Sequence, residues 1–304
     1  MPYIAAYPDG VGHNITTRGY AVKYGFVFPG GEARELAEMA HEAEDAGWDG
    51  VFIPDCIFID APEVADELGF DPWVTLAAMA MRTERIRLGT MITPPSRRRP
   101  WKLAREVATL DRLSHGRMLL PVGLGALDDA GFGHVGEATD RKTRARMLDE
   151  SLAILAGLWS GERFSYSGAH YQVTDLKFTP TPIQRPRVPI WVVAAWPRER
   201  SMARALQWDG IVPQRMNADG MADTMTPEDI REMTAYIKER RGEGSAAFDI
   251  TIEGRTPGDD REQARAMVQP YAEAGATWWM DAMWSAPNSA ADVRARVRQG
   301  PPRE

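Results

Sequence analysis

The sequence has little of several features that define whole classes of protein. Its one cysteine in 304 residues, Cys56, excludes an internal disulfide framework and favours a reducing compartment, so we expect a cytoplasmic protein. The longest apolar runs, such as residues 190–196, are too short to cross a bilayer, and the N-terminus lacks the basic start and apolar core of a signal peptide. A net charge of -7 argues against general nucleic-acid binding. We therefore expect neither a membrane nor a nucleic acid as a partner.

Common catalytic and nucleotide-binding motifs are missing as well. The sequence has no Walker A motif, no GxSxG nucleophile turn and no cysteine pair. Its five histidines show no metal-ligand spacing, so we predict no metal site. Residues 131–136 match GxGxxG, but they follow the preceding predicted strand too late to form the strand-to-helix turn of a dinucleotide fold. Any chemistry must therefore come from side chains that the whole fold brings together.

Apolar segments that predict strands alternate with amphipathic helices along the chain. Residues 85–125 show the pattern clearly, with a strand, a polar turn, a helix whose stripe includes Leu103, Val107 and Leu110, a stop at Gly116 and a second strand. Such a β-α-β unit predicts parallel strands with a covering helix. The predicted strands are residues 22–28, 48–54, 86–92, 118–122, 189–194, 210–213, 248–253 and 277–283. Eight such units are expected of a (β/α)8 TIM barrel, with a doubly wound open sheet as the alternative.

No linker or break in composition divides the chain. We therefore predict one barrel domain over residues 21–299, an N-terminal arm over residues 1–20, and an insertion after the fourth helix at about residues 162–188. A barrel places function at the C-terminal ends of its strands. The loops after strands two and four are long, which is typical of functional loops, and we expect them to contact a small-molecule substrate.

Two segments at strand ends carry positive charge. Residues 97–99 are three consecutive arginines after strand three. They predict either a solvated loop or an anion clamp, since they lie at a strand end and not on an extended basic face. Residues 195–198 open a helix after strand five. The free backbone N–H groups of a helix start, together with the charge of Arg198, predict an anion site there.

The amino-acid sequence at several strand ends resembles that of the bacterial luciferase-like flavin-dependent oxidoreductases. The matching segments are KYGFVFPGG, AGWDGVFIPD, RIRLGTMITP, RRRPWKLAREVATLDRLSHGRMLLPVGLG and PRVPIWVVAAWPRERSMARALQWDGIVP. The resemblance covers roughly residues 22–284. The run LDRLSHGR, followed by a buried strand and a GxG turn, is fairly specific for that family.

The resemblance implies a barrel that binds FMN or, in some branches, the 8-hydroxy-5-deazaflavin coenzyme. It places the flavin ring over the end of strand three, with a cis peptide at Met91–Ile92, and the flavin phosphate at residues 123–125 and 195–198. The implied cofactor-binding residues are Thr90, Met91, Ile92, Gly123, Leu124, Gly125, Ala195, Trp196 and Arg198. The implied partners are a separate flavin reductase, which would supply reduced FMN, and a second copy of the chain in a homodimer.

The sequence departs from the family at the end of strand two. Asp55 matches an acidic position there, but Cys56 replaces the histidine that often follows. We take Asp55 and Cys56 as the catalytic candidates, with the cysteine as a soft group beside the cofactor, because nearby carboxylates disfavour a thiolate. Leu124 stands where true luciferases carry a phosphate-binding arginine. Glu253 and Asp281 end strands seven and eight, and each is either an acid or base or an ordinary paired carboxylate.

One main function and two alternatives follow from the resemblance. The main expectation is an FMN-dependent monooxygenase that uses reduced flavin and oxygen on a small organic substrate. The first alternative is a deazaflavin-dependent enzyme that transfers hydride and does not use oxygen. The second alternative, prompted by the missing histidine, is a flavin-binding barrel without catalysis.

Overall fold

Eleven strands and eight α-helices make up the regular structure in the described part of the chain. The computed structural model describes residues 22–59, 70–126, 129–216, 222–242, 246–284 and 289–303, and the predicted N-terminal arm lies outside them. The strands are β1 (Lys23–Val27), β2 (Gly50–Ile53), β3 (Arg87–Thr90), β4 (Leu120–Val122), β5 (Arg163–Ser167), β6 (Gln172–Lys177), β7 (Ile190–Trp196), β8 (Gly210–Met216), β9 (Ala222–Asp223), β10 (Asp249–Gly254) and β11 (Trp278–Ala282). The helices are α1 (Ala33–Asp45), α2 (Pro72–Arg82), α3 (Pro100–Leu113), α4 (Arg141–Trp159), α5 (Glu199–Ala205), α6 (Pro227–Arg241), α7 (Arg261–Ala274) and α8 (Ala290–Gln299).

Eight of the strands form a barrel in which every pair of neighbours is parallel. Their order is β3-β2-β1-β11-β10-β8-β7-β4, and bridges from Leu88 to Met118 and from Thr93 to Val122 join β3 to β4. The predicted (β/α)8 barrel is therefore confirmed, and the open-sheet alternative is wrong. Among the described residues, no helix is both long and apolar enough to cross a membrane.

Side chains alternate between two packed cores, as the period of two in a strand requires. In β2, Val51 and Ile53 point outward into the layer beneath the helices, whereas Phe52 points into the barrel. The inward-facing set fills the barrel and is almost free of polar atoms. It comprises Val27, Phe52, Met91, Leu119, Trp191, Trp278, Met280 and Ala282. The barrel interior is thus a packed core, and any ligand must bind above it at the C-terminal ends of the strands.

The helix starts follow local signals in the sequence. Asp71 caps α2 and accepts hydrogen bonds from the N–H groups of Trp73 and Val74 at 3.0 Å each, with Pro72 in the first helical position. The α6 helix has Pro227 in its first turn, after the capping residue Thr226. The α5 helix begins only at Glu199, because Arg198 has an extended backbone and acts as its N-cap.

A buried arginine explains the motif SHGR. Arg117 Nε donates to the Ser114 carbonyl at 2.7 Å. Its Nη1 donates to Thr83 Oγ1 at 2.7 Å and to the Ile86 carbonyl at 3.0 Å. Its Nη2 donates to the carbonyls of Ala80 at 3.0 Å and Thr83 at 2.8 Å. All five N–H donors of the guanidinium are satisfied, so this motif joins the ends of α2 and α3 to the start of β3 and stabilises the fold.

A β-hairpin lies within the predicted insertion after the fourth helix and packs beside α4. Strands β5 and β6 pair in antiparallel fashion. Glu150 of α4 holds the turn between them, since its carboxylate accepts hydrogen bonds from the N–H groups of Ala169, His170 and Tyr171 at 2.9–3.2 Å.

Candidate functional site

The C-terminal ends of the barrel strands surround a mouth with an apolar floor. The peptide bond between Met91 and Ile92 is cis, at the position that the resemblance implied. Ile92 and Val193 are half-buried there, while Gly123 is buried between them. A Cβ atom at Gly123 would lie 2.8 Å from Ile92 Cδ1 and 2.9 Å from Val193 Cγ2. A side chain at Gly123 would have to displace Ile92 or Val193, so glycine lets these two side chains pack over it.

Arg144 of α4, which no motif indicated, holds the turn after β4. Gly125 has a φ of +83°, which favours glycine, and a Cβ there would lie 2.7 Å from the Phe132 ring. Arg144 Nη1 donates to the Leu124 carbonyl at 3.0 Å, and its guanidinium lies over the Phe132 ring at 4.3 Å. The GxG turn is therefore held in one conformation beside the floor.

Two of the predicted cofactor residues turn their side chains away from the mouth. Thr90 is fully buried, and its Oγ1 lies 2.9 Å from Thr93 Oγ1. Trp196 is buried in the outer layer, where its ring meets the Tyr236 ring at 5.6 Å. Ala195 is half-buried and faces the mouth side of β7. At Thr90 and Trp196, only the backbone is placed to meet a ligand.

The predicted catalytic carboxylate, Asp55, is fully engaged by other side chains. Arg98 donates two hydrogen bonds to this carboxylate, from Nη2 to Oδ1 at 2.9 Å and from Nε to Oδ2 at 3.1 Å. Arg97 Nη2 donates a third, to Oδ1 at 3.1 Å. Thr93 Oγ1 donates to Oδ2 at 2.8 Å and Trp73 Nε1 at 3.4 Å. These contacts join the end of β2 to the loop after β3, so Asp55 holds the two loops together.

The ion pairs of Arg97 extend this cluster to a third loop. Arg97 also pairs with Asp129, whose Oδ1 accepts hydrogen bonds from the N–H groups of Phe58 at 3.3 Å and Gly131 at 2.8 Å. The loops after β2, β3 and β4 are thus tied together. The Arg97 side chain is only 4% exposed. The expectation of a solvated loop or an open anion clamp at residues 97–99 is therefore wrong for Arg97 and Arg98.

The cysteine beside this cluster is a neutral thiol. Cys56 is half-buried. Burial raises its pKa to about 11, and the charges of Asp129 and Asp55 act in the same direction against that of Arg97. The structure therefore agrees with the expectation that no thiolate forms there.

The side chains of Glu253 in β10 and Asp281 in β11 point to opposite faces of the barrel wall. Asp281 faces the helix layer and pairs with Arg296 at 2.8 Å. Burial raises its pKa, while the charge of Arg296 opposes that rise. Glu253 faces the mouth and accepts a hydrogen bond from Trp284 Nε1 at 2.7 Å. Protein atoms around Glu253 raise its pKa although the side chain keeps contact with solvent, and the bond from Trp284 opposes the rise.

A strongly basic cleft lies beside the end of β7, between the starts of α4 and α5. Its volume is about 640 Å³. The cations that line it are Arg141, Lys142, Arg146, Arg198, Arg200 and Arg204. The one carboxylate in its wall, Asp149, pairs with Arg204 at 2.9 Å. We call these residues the basic cleft, and its charge suits an anion with several negative groups.

The predicted anion site after β7 relied on free backbone N–H groups, and two of these groups already have partners. The Arg198 N–H donates to the Ala195 carbonyl at 2.8 Å, and the Ala195 N–H donates to Ser201 Oγ at 3.0 Å. These two N–H groups are therefore occupied, and the positive charge around them comes from side chains. The α4 contribution comes from the run RKTRAR at residues 141–146, a signal that sequence reasoning could have used.

The chain belongs to the luciferase-like monooxygenase family, whose sequence model matches residues 14–302. An F420-dependent glucose-6-phosphate dehydrogenase from Nakamurella multipartita is 31% identical over 76% of this chain and 66% of the relative. The chain spans about half to two thirds of the length of such curated relatives.

Solved structures share the barrel at low sequence identity. An F420-dependent secondary alcohol dehydrogenase superposes with a TM-score of 0.72 at 16% identity, over 91% of this chain and 96% of that one. The monooxygenase RslO1 from Streptomyces bottropensis superposes with a TM-score of 0.70 at 19% identity, over 91% and 97%. The names of these relatives describe dehydrogenases and a monooxygenase.

Proposed function

We propose that this chain is a deazaflavin-dependent oxidoreductase, which transfers hydride between the 8-hydroxy-5-deazaflavin coenzyme F420 and a small alcohol or carbonyl substrate. The basic cleft carries the proposal. FMN ends in one phosphate, whereas this coenzyme has a phosphodiester followed by carboxylates. Six cationic side chains beside the mouth match the longer anionic tail better than a single phosphate. The names of the matched relatives point in the same direction.

The residues of the mouth fit a flat ring system. Ile92, Gly123 and Val193 give an apolar surface without protruding atoms, and the basic cleft lies next to the same strand end through Ala195. When bound, the coenzyme supplies the hydride acceptor or donor. The protein positions it by contact with the floor, binds its tail by charge, and keeps water from one face of the ring.

An FMN-dependent monooxygenase is the second candidate. It is favoured by the family that the chain belongs to and by the shared fold with RslO1. This reaction would need a reductase to supply reduced FMN. The same floor would hold the FMN ring, and a single phosphate would use only part of the basic cleft.

A direct comparison of cofactors separates the candidates. We expect the purified protein to bind oxidised coenzyme F420 at least ~10-fold more tightly than FMN, a difference of about 1.4 kcal/mol. We also expect glucose 6-phosphate or 2-propanol to reduce the bound coenzyme, measured as loss of its absorbance without oxygen. Tighter binding of reduced FMN, with oxygen uptake, would instead support the monooxygenase. Binding without turnover of either cofactor would support the non-catalytic alternative.

Removal of charge from the basic cleft tests how the tail is held. We expect the double variant Arg146→Ala, Arg200→Ala to bind coenzyme F420 about 30- to 1000-fold more weakly, because each charge-assisted contact contributes about 1–2 kcal/mol at a partly exposed site. FMN binding should change less. Fluorescence titrations at two salt concentrations measure both. Arg163→Ala, which removes an exposed arginine on the hairpin, is the control. Equal losses for the two cofactors would show that the cleft does not select the longer tail.

A further inference from the structure

We propose that Glu253, oriented by Trp284, is the residue that exchanges a proton with the substrate during hydride transfer. This role rests on the proposed function and names the group that takes the place of the missing histidine. Ile250 and Ile252 of β10 pack in the outer core. By alternation, Glu253 therefore points to the inside of the barrel at its C-terminal end.

The order of the strands puts Glu253 opposite the floor. In the ring β3-β2-β1-β11-β10-β8-β7-β4, β10 stands four strands from β3 in either direction. A flat ring that lies on Ile92 and Gly123 covers the side of the mouth formed by β3 and β4. The substrate must then occupy the remaining side, where β10 and β11 end. Glu253 and Trp284 lie on that side.

The surroundings of Glu253 leave its carboxylate without a counter-ion among the described residues. On one side, β8 presents Gln214, which is neutral, while the neighbouring Arg215 pairs with Asp229 at 3.2 Å. On the other side, the inward-facing residues of β11 are apolar, and Asp281 is turned outward to its own partner. No charged side chain of the described residues contributes to the pKa of Glu253, which enclosure by the protein raises.

The other carboxylates of the described part of the mouth are already occupied. Asp55 is held by two arginines, and Asp129 by Arg97 and two backbone N–H groups. Among the described residues, Glu253 accepts one hydrogen bond, from Trp284 Nε1 to Oε1. The indole fixes one oxygen and leaves Oε2 for a substrate hydroxyl. A carboxylate with a raised pKa and a free oxygen suits general acid–base catalysis.

The proposed step balances in both directions. In oxidation, the carbon of an alcohol loses a hydride to the coenzyme while its hydroxyl loses a proton to Glu253, and the C–O bond becomes a carbonyl. The proton then passes to water through the exposed side of the carboxyl. In reduction, the protonated Glu253 donates to the carbonyl oxygen as the hydride arrives at carbon.

Kinetics of Glu253→Gln test this role. We expect kcat with glucose 6-phosphate or 2-propanol to fall about 10²- to 10⁴-fold, while the Kd for coenzyme F420 stays within about twofold, since no contact to the coenzyme is removed. Because the base must be deprotonated, kcat for oxidation by the wild type should rise with pH and level off above the pKa of Glu253. Glu262→Gln, an exposed glutamate at the start of α7, should match the wild type.

A second readout needs no turnover. In cofactor-free protein, the indole N–H resonance of Trp284, assigned with Trp284→Phe, should titrate with a midpoint above the ordinary value for glutamate and should not titrate in Glu253→Gln. If the wild type turns over and Glu253→Gln retains its kcat, or if the indole does not titrate, the role of Glu253 is wrong and the proposed function stands. If the wild type binds the coenzyme and reduces it with neither substrate, the proposed function fails and this role fails with it.

Discussion

Replacing Asp55 with asparagine should lower the free energy of unfolding by about 3–5 kcal/mol, because it leaves the buried guanidinium of Arg97 and the half-buried Arg98 without their shared carboxylate. The side chain of Asp55 is 3% exposed, so water cannot take over the contacts. The amide of asparagine is nearly the same size, and the loss therefore reports on charge and hydrogen bonding more than on packing. Urea denaturation followed by tryptophan fluorescence measures the change.

The chain offers a matched control for this experiment. Asp175 pairs with Arg163 at 2.6 Å, but both side chains are about two-thirds exposed. Asp175→Asn should cost no more than about 1 kcal/mol, since exposed ion pairs contribute little. Asparagine also suits the left-handed backbone of Asp175, whose φ is 44°. If the two variants lose the same stability, the cluster around Asp55 is not what holds the three loops.

Replacing Arg117 with lysine should lower the free energy of unfolding by about 2–6 kcal/mol. An ammonium group has three donors where the guanidinium has five. At least two buried acceptors then lose their partners, at about 1–3 kcal/mol each. The charge is conserved, so the variant tests the planar fork of donors alone. Unfolding in urea and by heat should show the same ranking.

Arg112→Lys is the control for Arg117→Lys. Arg112 lies in the last turn of α3 and donates to the Thr181 carbonyl at 3.1 Å from an exposed position. Its replacement should change stability by less than about 0.5 kcal/mol, as is usual at the surface. Similar losses for both variants would mean that Arg117 does not bridge the two helix ends in solution.

The barrel could be predicted from the sequence because local patterns define it. The cap at Asp71, the stop at Gly116 and the apolar stripes of the helices act within a few residues of one another. Alternation of side chains within β10 and β11 also contains the information that Glu253 faces inward and Asp281 outward. Each segment therefore indicates its own structure, and parallel order follows from the alternation of strands and helices.

The pairing of charges could not be predicted in the same way. Arg97 and Arg98 meet Asp55 across more than 40 positions of the chain. A run of arginines has the same local appearance whether it is solvated or buried in ion pairs. The basic cleft has the same origin, since α4 and α5 contribute charges from segments that are distant in sequence. Such sites depend on tertiary contacts, which local periodicity does not describe.

Ion pairs join the loops after β2, β3 and β4 to one another, so the loops on this side of the barrel rim are held together. Insertions or charge changes at Asp55, Arg97 or Asp129 would disturb all three loops at once, so that half of the rim offers little freedom for redesign. In the half around β8, β10 and β11, the buried ion pair of Asp281 and Arg296 faces the helix layer, away from the mouth. A laboratory that wished to change the substrate range of this protein would therefore build its libraries on the Glu253 side and keep the other side fixed.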